Sequence, residues 1–244
     1  MIKTFIFLDL ETTGLITRNY MPKITEMSLI AVSRSAICDT TNISPRILQK
    51  LVLPIHPNVP ISKDIQKLTG LSNENLKEFP CFNCDIYNLV VNFINRLAAP
   101  ACFIAYNGNN YDYPIFLSEF KNIEKNFSEN VLSIDMMHLV KEFFSRKQNP
   151  IKEMNIVQPT ASSSNYTEDR RGSNVRRQLD FTNSQPINFK LGSVYKHIFG
   201  NKPEDAHSAE GDCLTMIRCA IKLGNFFVEW TDCNAVPLTN YAIK

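Results

Sequence analysis

A chain of 244 residues with 44% apolar and 20% charged residues has the make-up of a globular protein long enough to bury a core without disulfide or metal staples. Its 26 lysines and arginines nearly cancel its 24 aspartates and glutamates, which excludes a polycation that coats nucleic acid by charge alone. An acid arrives by Asp9, too early for a signal peptide, and no apolar run reaches the ~18 residues of a membrane span. The expectation is an intracellular protein, cytoplasmic or nuclear, neither secreted nor membrane-anchored.

Residues 2–8 are dense in Ile, Phe and Leu and predict a buried strand. Further strands are expected through 27–32 and 47–53, the latter closed by Pro54 and Pro57. A short helix starts at Ile61-Ser62 and ends at Gly70. Residues 86–97 place Ile86, Leu89, Val90, Phe93, Ile94 and Leu97 on one helical face, with Asp85 as N-cap and Pro100 as stop. A strand over 101–106 follows, then helices near 113–125, 136–145 and 189–199 and a long one over 209–227. This order predicts an α/β fold with a mixed sheet. The segment 146–186 breaks the pattern: it lacks periodicity, its seven basic and four acidic residues leave +3, and it reads as a flexible insertion in a single domain spanning 1–244. Seven scattered cysteines suit reduced thiols; Cys81-Phe-Asn-Cys84 has zinc-ligand spacing, but without a second pair or paired histidines two thiols ahead of a helix is the better reading.

The acids near the first strand carry the chemistry. Asp9 and Glu11 stand at i and i+2 on a strand, so both side chains leave one face while Leu8 and Leu10 point the other way. Such a pair is costly if buried unpaired, and a hard divalent cation would supply the missing charge; a strand end emerging into water is an equally good account of the pair alone. Asp112, in Asn107-Gly-Asn-Asn-Tyr-Asp112-Tyr-Pro, follows a strand and opens a helix, which puts it at the sheet rim; alone it is an ordinary helix N-cap. In Ala206-His207-Ser-Ala-Glu-Gly-Asp212, Ser208 is a natural N-cap. Five helical residues would separate His207 and Asp212 by about 140°, so the two share a site only if His207 hangs from the preceding loop.

Together Asp9-Leu-Glu11, Asp112 and His207-x-Ala-x-x-Asp212 resemble the four acids and histidine of the DEDDh 3′→5′ exonucleases, a ribonuclease-H-like superfamily of mixed sheets flanked by helices. Phe7-Leu-Asp-Leu-Glu-Thr-Thr-Gly-Leu15, Thr25-Glu-Met-Ser-Leu-Ile-Ala-Val32, Leu68-Thr-Gly-Leu71, Leu191-Gly-Ser-Val-Tyr195 and Phe227-Val-Glu-Trp230 are similar to segments of its three-prime repair exonuclease group. The resemblance implies phosphodiester hydrolysis at a DNA 3′ end, single strands preferred, with two Mg²⁺ ions per site for which Mn²⁺ substitutes; two such ions ~3.5–4 Å apart clamp the attacking and leaving oxygens. It makes Asp9 the bridging ligand, adds Glu11 and Asp212 at the first ion, and puts Asp112 at the second. His207 becomes the general base, a task that suits an imidazole titrating near neutrality. Leu15 and Leu68 match positions that pack on terminal bases, and Thr12 and Tyr111 match positions that hold the terminal nucleotide; core packing is the plain alternative for Leu15, Leu68 and Tyr111.

The same resemblance implies a homodimer through the edge strand near 47–53. Departures bear on substrate: Asn110 stands where mammalian members carry Arg, which puts duplex ends in doubt, and neither a proline-rich run nor an apolar tail is present. A short-RNA exonuclease is a rival that would need partners for the 2′-OH. An inactive single-strand binder is a second rival, opposed by the presence of all five chemical residues. Arg170, Arg171, Arg176 and Arg177 are candidate phosphate contacts in the 146–186 segment.

Overall fold

The computed structural model describes residues 1–41, 44–148 and 184–242. Their strands are β1 (Thr4–Thr12), β2 (Ile24–Ser33), β3 (Gln49–Pro54), β4 (Ala101–Ala105), β5 (Leu132–Asp135) and β6 (Val236–Pro237). They form one mixed sheet in the order β3-β2-β1-β4-β5-β6. β1 runs antiparallel to β2 and parallel to β4, β5 is parallel to β4, and β3 and β6 are antiparallel edges. The helices are α1 (Arg34–Cys38), α2 (Lys63–Thr69), α3 (Asn73–Leu76), α4 (Cys84–Asn95), α5 (Asp112–Asn122), α6 (Met136–Gln148), α7 (Leu191–Phe199), α8 (Ala209–Leu223) and α9 (Asn225–Asn234).

Strand alternation decides which helices cover which face. Phe5 and Phe7 of β1, with Ile30 and Val32 of β2, pack against α6–α9, and the Phe227 ring lies 5.1 Å from Phe5 and 6.2 Å from Phe7. Ile6, Leu8 and Leu10, with Met27, Leu29 and Ala31, face the other way onto α4 and α5. The central strands are therefore apolar on both faces. Toward the end of β1 acids take the place of Phe5 and Phe7 on the same face, at Asp9 and Glu11.

Several expectations are corrected. The α4 stripe is buried through Ile86, Val90 and Phe93, but its N-cap is Asn83, whose carboxamide oxygen accepts the Asp85 and Ile86 N–H groups. A carboxamide two residues earlier does what Asp85 was expected to do. The helix expected over 209–227 is two helices, because Gly224 sits at φ 53, where α8 ends and α9 begins. The strand β5 is not foreshadowed by periodicity: it is four residues long, and Ser133 and Asp135 interrupt its apolar run. The α6 helix reaches Gln148, into the segment expected to be insertion from 146; the candidate phosphate contacts Arg170, Arg171, Arg176 and Arg177 lie outside the described residues. Ser62 and Gly70 cap α2 as expected, Gly70 in the left-handed region. Cys81 lies against Asn58 (3.0 Å) and His56 (3.7 Å), and Cys84 opens α4; among the described residues neither thiol joins a three-ligand group. No helix among the described residues is long and apolar enough to cross a membrane.

Candidate active site

After β1 the chain builds outward through β2 and β3, and after β4 it builds to the opposite side through β5 and β6. Open α/β sheets bind ligands at such a switch point, outside the carboxyl ends of the parallel strands. Asp9 and Glu11 occupy that end of β1 on the Phe5–Phe7 face, opposite Ser28 and Glu26 of β2. Past Glu11 the register slips, so that Thr12 pairs with Ile24 and Thr25 is the extra residue of a bulge. A bulge bends the strand and re-aims the side chains beside it, a common feature next to functional sites.

The helix α8 brings the third carboxylate. Ser208 is its N-cap, the hydroxyl accepting the Gly211 N–H at 3.1 Å. The loop before it folds back through two left-handed residues, Asp205 (φ 53) and His207 (φ 67). A Cβ on Gly211 would stand 2.1 Å from the Asp205 carbonyl oxygen, so the turn closes only over glycine. Two strands anchor this helix start: the Glu26 carboxylate of β2 accepts the Ala209 N–H at 2.9 Å, and Lys50 of β3 pairs with Glu210 at 2.6 Å. Carboxylate oxygens of Asp9, Glu11 and Asp212 consequently lie within 4.8 Å of one another, all three residues partly accessible to solvent. His207 is exposed on the loop that leads into α8, five residues before Asp212.

Asp112, the first residue of α5, is 3% exposed. Its cap is not its own side chain, since the N-cap position belongs to Tyr111. The preceding loop is held by Asp135 at the end of β5. That buried carboxylate accepts the N–H groups of Asn107 (2.9 Å), Asn109 (3.3 Å) and Met137 (2.9 Å). Asp112 stands outside the Asp9–Glu11–Asp212 triangle yet repels Asp9 more strongly than any other charge there.

Crowded like charges in partial burial make these acids reluctant to ionise. Burial first, then Asp212 and Glu26, push the Glu11 carboxyl up to about 7. Burial, with Asp135 adding to it, raises Asp112 to about 8, against the pull of its own backbone N–H and then that of Leu10. Asp9 is raised well above the usual range by burial, then by Asp112, Asp212, Glu11 and Glu26. Burial raises Asp212 too, opposed by the His207 N–H and imidazole. Such a cluster is electrostatically incomplete, and oxygen donors gathered around concentrated negative charge fit a hard divalent cation.

The remaining expected residues divide into two groups. The Tyr111 hydroxyl donates to the Gly14 carbonyl at 2.8 Å and is hydrogen-bonded to the Thr12 hydroxyl, which ties the β1 end to the Asp112 loop. Leu15 and Leu68 are 73% and 51% exposed, so neither is a core residue. Sequence reasoning missed Glu26, Asp135 and Gly211. Glu26 is an acid inside an apolar strand, which is a legible signal; Asp135 looks like the end of a helix-capping turn until β5 is recognised.

A profile of the Exonuclease family (RNase_T) matches residues 6–219. Over 249 residues the chain is 30% identical to three-prime repair exonuclease 1 of Bos taurus, covering 98% of this chain and 69% of that protein. It is 28% identical over 240 residues to three prime repair exonuclease 2 of Homo sapiens, 94% of this chain and 87% of that one. Among solved structures it is similar to the nuclease domain of a DEDDh family member bound to rAMP, with a TM-score of 0.59, 13% identity, and 91% and 92% of the two chains covered. The ribonuclease-H-like fold of that family is the fold seen here.

Proposed function

From the premise that this chain belongs to the exonuclease family, as a 3′→5′ exonuclease of the three-prime repair type, we propose that it removes nucleotides from DNA 3′ ends with Mg²⁺, single strands being preferred. The convergence of Asp9, Glu11 and Asp212 beside a loop-borne histidine carries this reading. Asp9, Glu11 and Asp212 would hold one Mg²⁺, and Asp9 with Asp112 a second, Mn²⁺ being an acceptable substitute. Bound there, the ions supply Lewis-acid stabilisation of the phosphate and of the leaving 3′ oxygen. His207 takes the proton of the attacking water, and the Ser208 cap and Gly211 fix the loop for that task. Thr12 and Tyr111 hold the terminal nucleotide, while exposed Leu15 and Leu68 offer apolar faces to its base, a sequence-tolerant contact.

Labelled DNA and RNA oligonucleotides incubated with Mg²⁺ and resolved on gels test this, with Asp212→Ala as the control. Single-stranded DNA should shorten stepwise from the 3′ end, blunt duplex more slowly because Asn110 brings no charge to the second strand, and Asp212→Ala should be inert. Full activity in EDTA would sink the metal mechanism, and faster loss of RNA than DNA would make the ribonuclease reading the better one.

We further propose one catalytic unit per chain, an intracellular location, and a homodimer. β3 is an open edge of the sheet with Leu48 exposed beside it, a surface that pairing with a second copy would cover. Sedimentation equilibrium should give twice the chain mass, and Leu51→Pro should return it to a monomer; a wild-type monomer at micromolar concentration excludes the dimer.

A further inference from the structure

Glu26 is the one acid in the apolar run Ile24–Ser33, and it faces the site from β2, directly opposite Glu11. Like charges at opposed positions of an antiparallel pair are unfavourable, and among the described residues no Lys or Arg forms an ion pair with Glu26. What the carboxylate does have is the Ala209 N–H at 2.9 Å. The first N–H groups of a helix have no partner inside it. Ser208 caps only Gly211, so the start of α8 is completed by a side chain from a strand 183 residues away in sequence. Ala209 lies two residues after His207 and three before Asp212.

We propose that Glu26 is a positioning residue for the reaction. Its bond to Ala209 sets the position of the α8 start against β1, and through it where the His207 loop and the Asp212 carboxylate stand relative to Asp9 and Glu11. This rests on the reading of His207 and Asp212 given above. The distinguishing feature is reach, not charge. A glutamate spans from β2 to the helix, an aspartate is one methylene too short, and a glutamine spans equally well with a neutral carbonyl oxygen as acceptor.

Steady-state cleavage of a single-stranded oligonucleotide at saturating Mg²⁺ separates the two, using Glu26→Gln, Glu26→Asp and Glu26→Ala beside His207→Ala. Misplacing reacting groups by about 1 Å costs on the order of 10²-fold. Glu26→Asp and Glu26→Ala should therefore lose about 10- to 100-fold in kcat with KM within about threefold, whereas Glu26→Gln should stay within about threefold of wild type. Melting temperatures should remain close to wild type in all three, because each variant withdraws or removes a charge facing Glu11. An active Glu26→Asp beside an impaired Glu26→Gln would mean that charge matters and reach does not, and would overturn the inference. So would a wild-type Glu26→Ala beside an impaired His207→Ala. If His207→Ala keeps wild-type turnover while Glu26→Asp is impaired and Glu26→Gln is not, the histidine reading fails and Glu26 acts through Asp212.

Discussion

Replacing His207 by alanine should lower kcat by about 10²- to 10⁴-fold, the usual contribution of a positioned general base, or roughly 3–5 kcal/mol of barrier. Affinity for a single-stranded oligonucleotide, measured in Ca²⁺ to prevent turnover, should change little, because the imidazole meets the water and not the strand. An exposed loop histidine is more often idle, and exposure alone would argue for that here. The backbone argues otherwise. Both Asp205 and His207 are left-handed without being glycine, a conformation that costs roughly 1 kcal/mol or more per residue and collects at functional sites. The turn is held by a glycine with no room for a methyl group and by the Ser208 cap, whose hydroxyl also donates to the Asp205 carbonyl. All of this fixes one side chain beside one carboxylate. Unchanged turnover would return His207 to the idle reading.

The mixed sheet flanked by helices was legible in the sequence, and the local geometry of the candidate site was too, for a physical reason. Asp9 and Glu11 must share a strand face and Asp212 must follow a helix cap, so their spacing is dictated by local geometry that a sequence displays directly. Residues acting across the fold leave no such trace. Asp135 matters through three N–H groups, two of them on a loop that reaches it only when β5 lies beside β4. Glu26 matters through a helix that arrives 183 residues later. The break at Gly224 was hidden because apolar periodicity runs on from Ile221 to Phe227 and Val228, and one backbone angle, not hydrophobicity, turns the chain. Leu15 and Leu68 match positions that pack on terminal bases, with core packing as the alternative reading, and the fold leaves both exposed.

Metal-free protein should lose stability as the pH rises from about 5 to 8, and Mg²⁺ should restore it. Glu11 moves from an ordinary 4.5 to about 7, and Asp112 from 3.8 to about 8, burial being the first cause of each and like charge adding to it. Between the ordinary and the raised values the folded chain keeps protons that the unfolded chain has released. Stability therefore falls with rising pH across that window, being fully present below about 4 and gone by about 8. A tenfold weakening of a carboxyl's acidity on folding corresponds to about 1.4 kcal/mol in the ideal case. These groups repel one another and Glu11 is partly wet, so a net loss of about 3 kcal/mol is the reasonable scale. For a chain of this size that lowers Tm by roughly 6–12 °C. A cation that binds only the folded cluster reverses the loss, adding about 2.7 kcal/mol at a hundred times its Kd. Ca²⁺ should stabilise as well, yet support little turnover, because its larger and looser coordination spoils the two-ion arrangement. Asp9→Asn separates site electrostatics from the rest of the molecule: it removes the charge with the most repulsive neighbours and keeps the shape. At pH 8 without metal this variant should melt several degrees above wild type, show little response to Mg²⁺ and cleave nothing. A metal-free Tm that stays level or rises between pH 5 and 8, or an Asp9→Asn variant with a wild-type Mg²⁺ response, would mean that the three carboxylates do not act as one cation site.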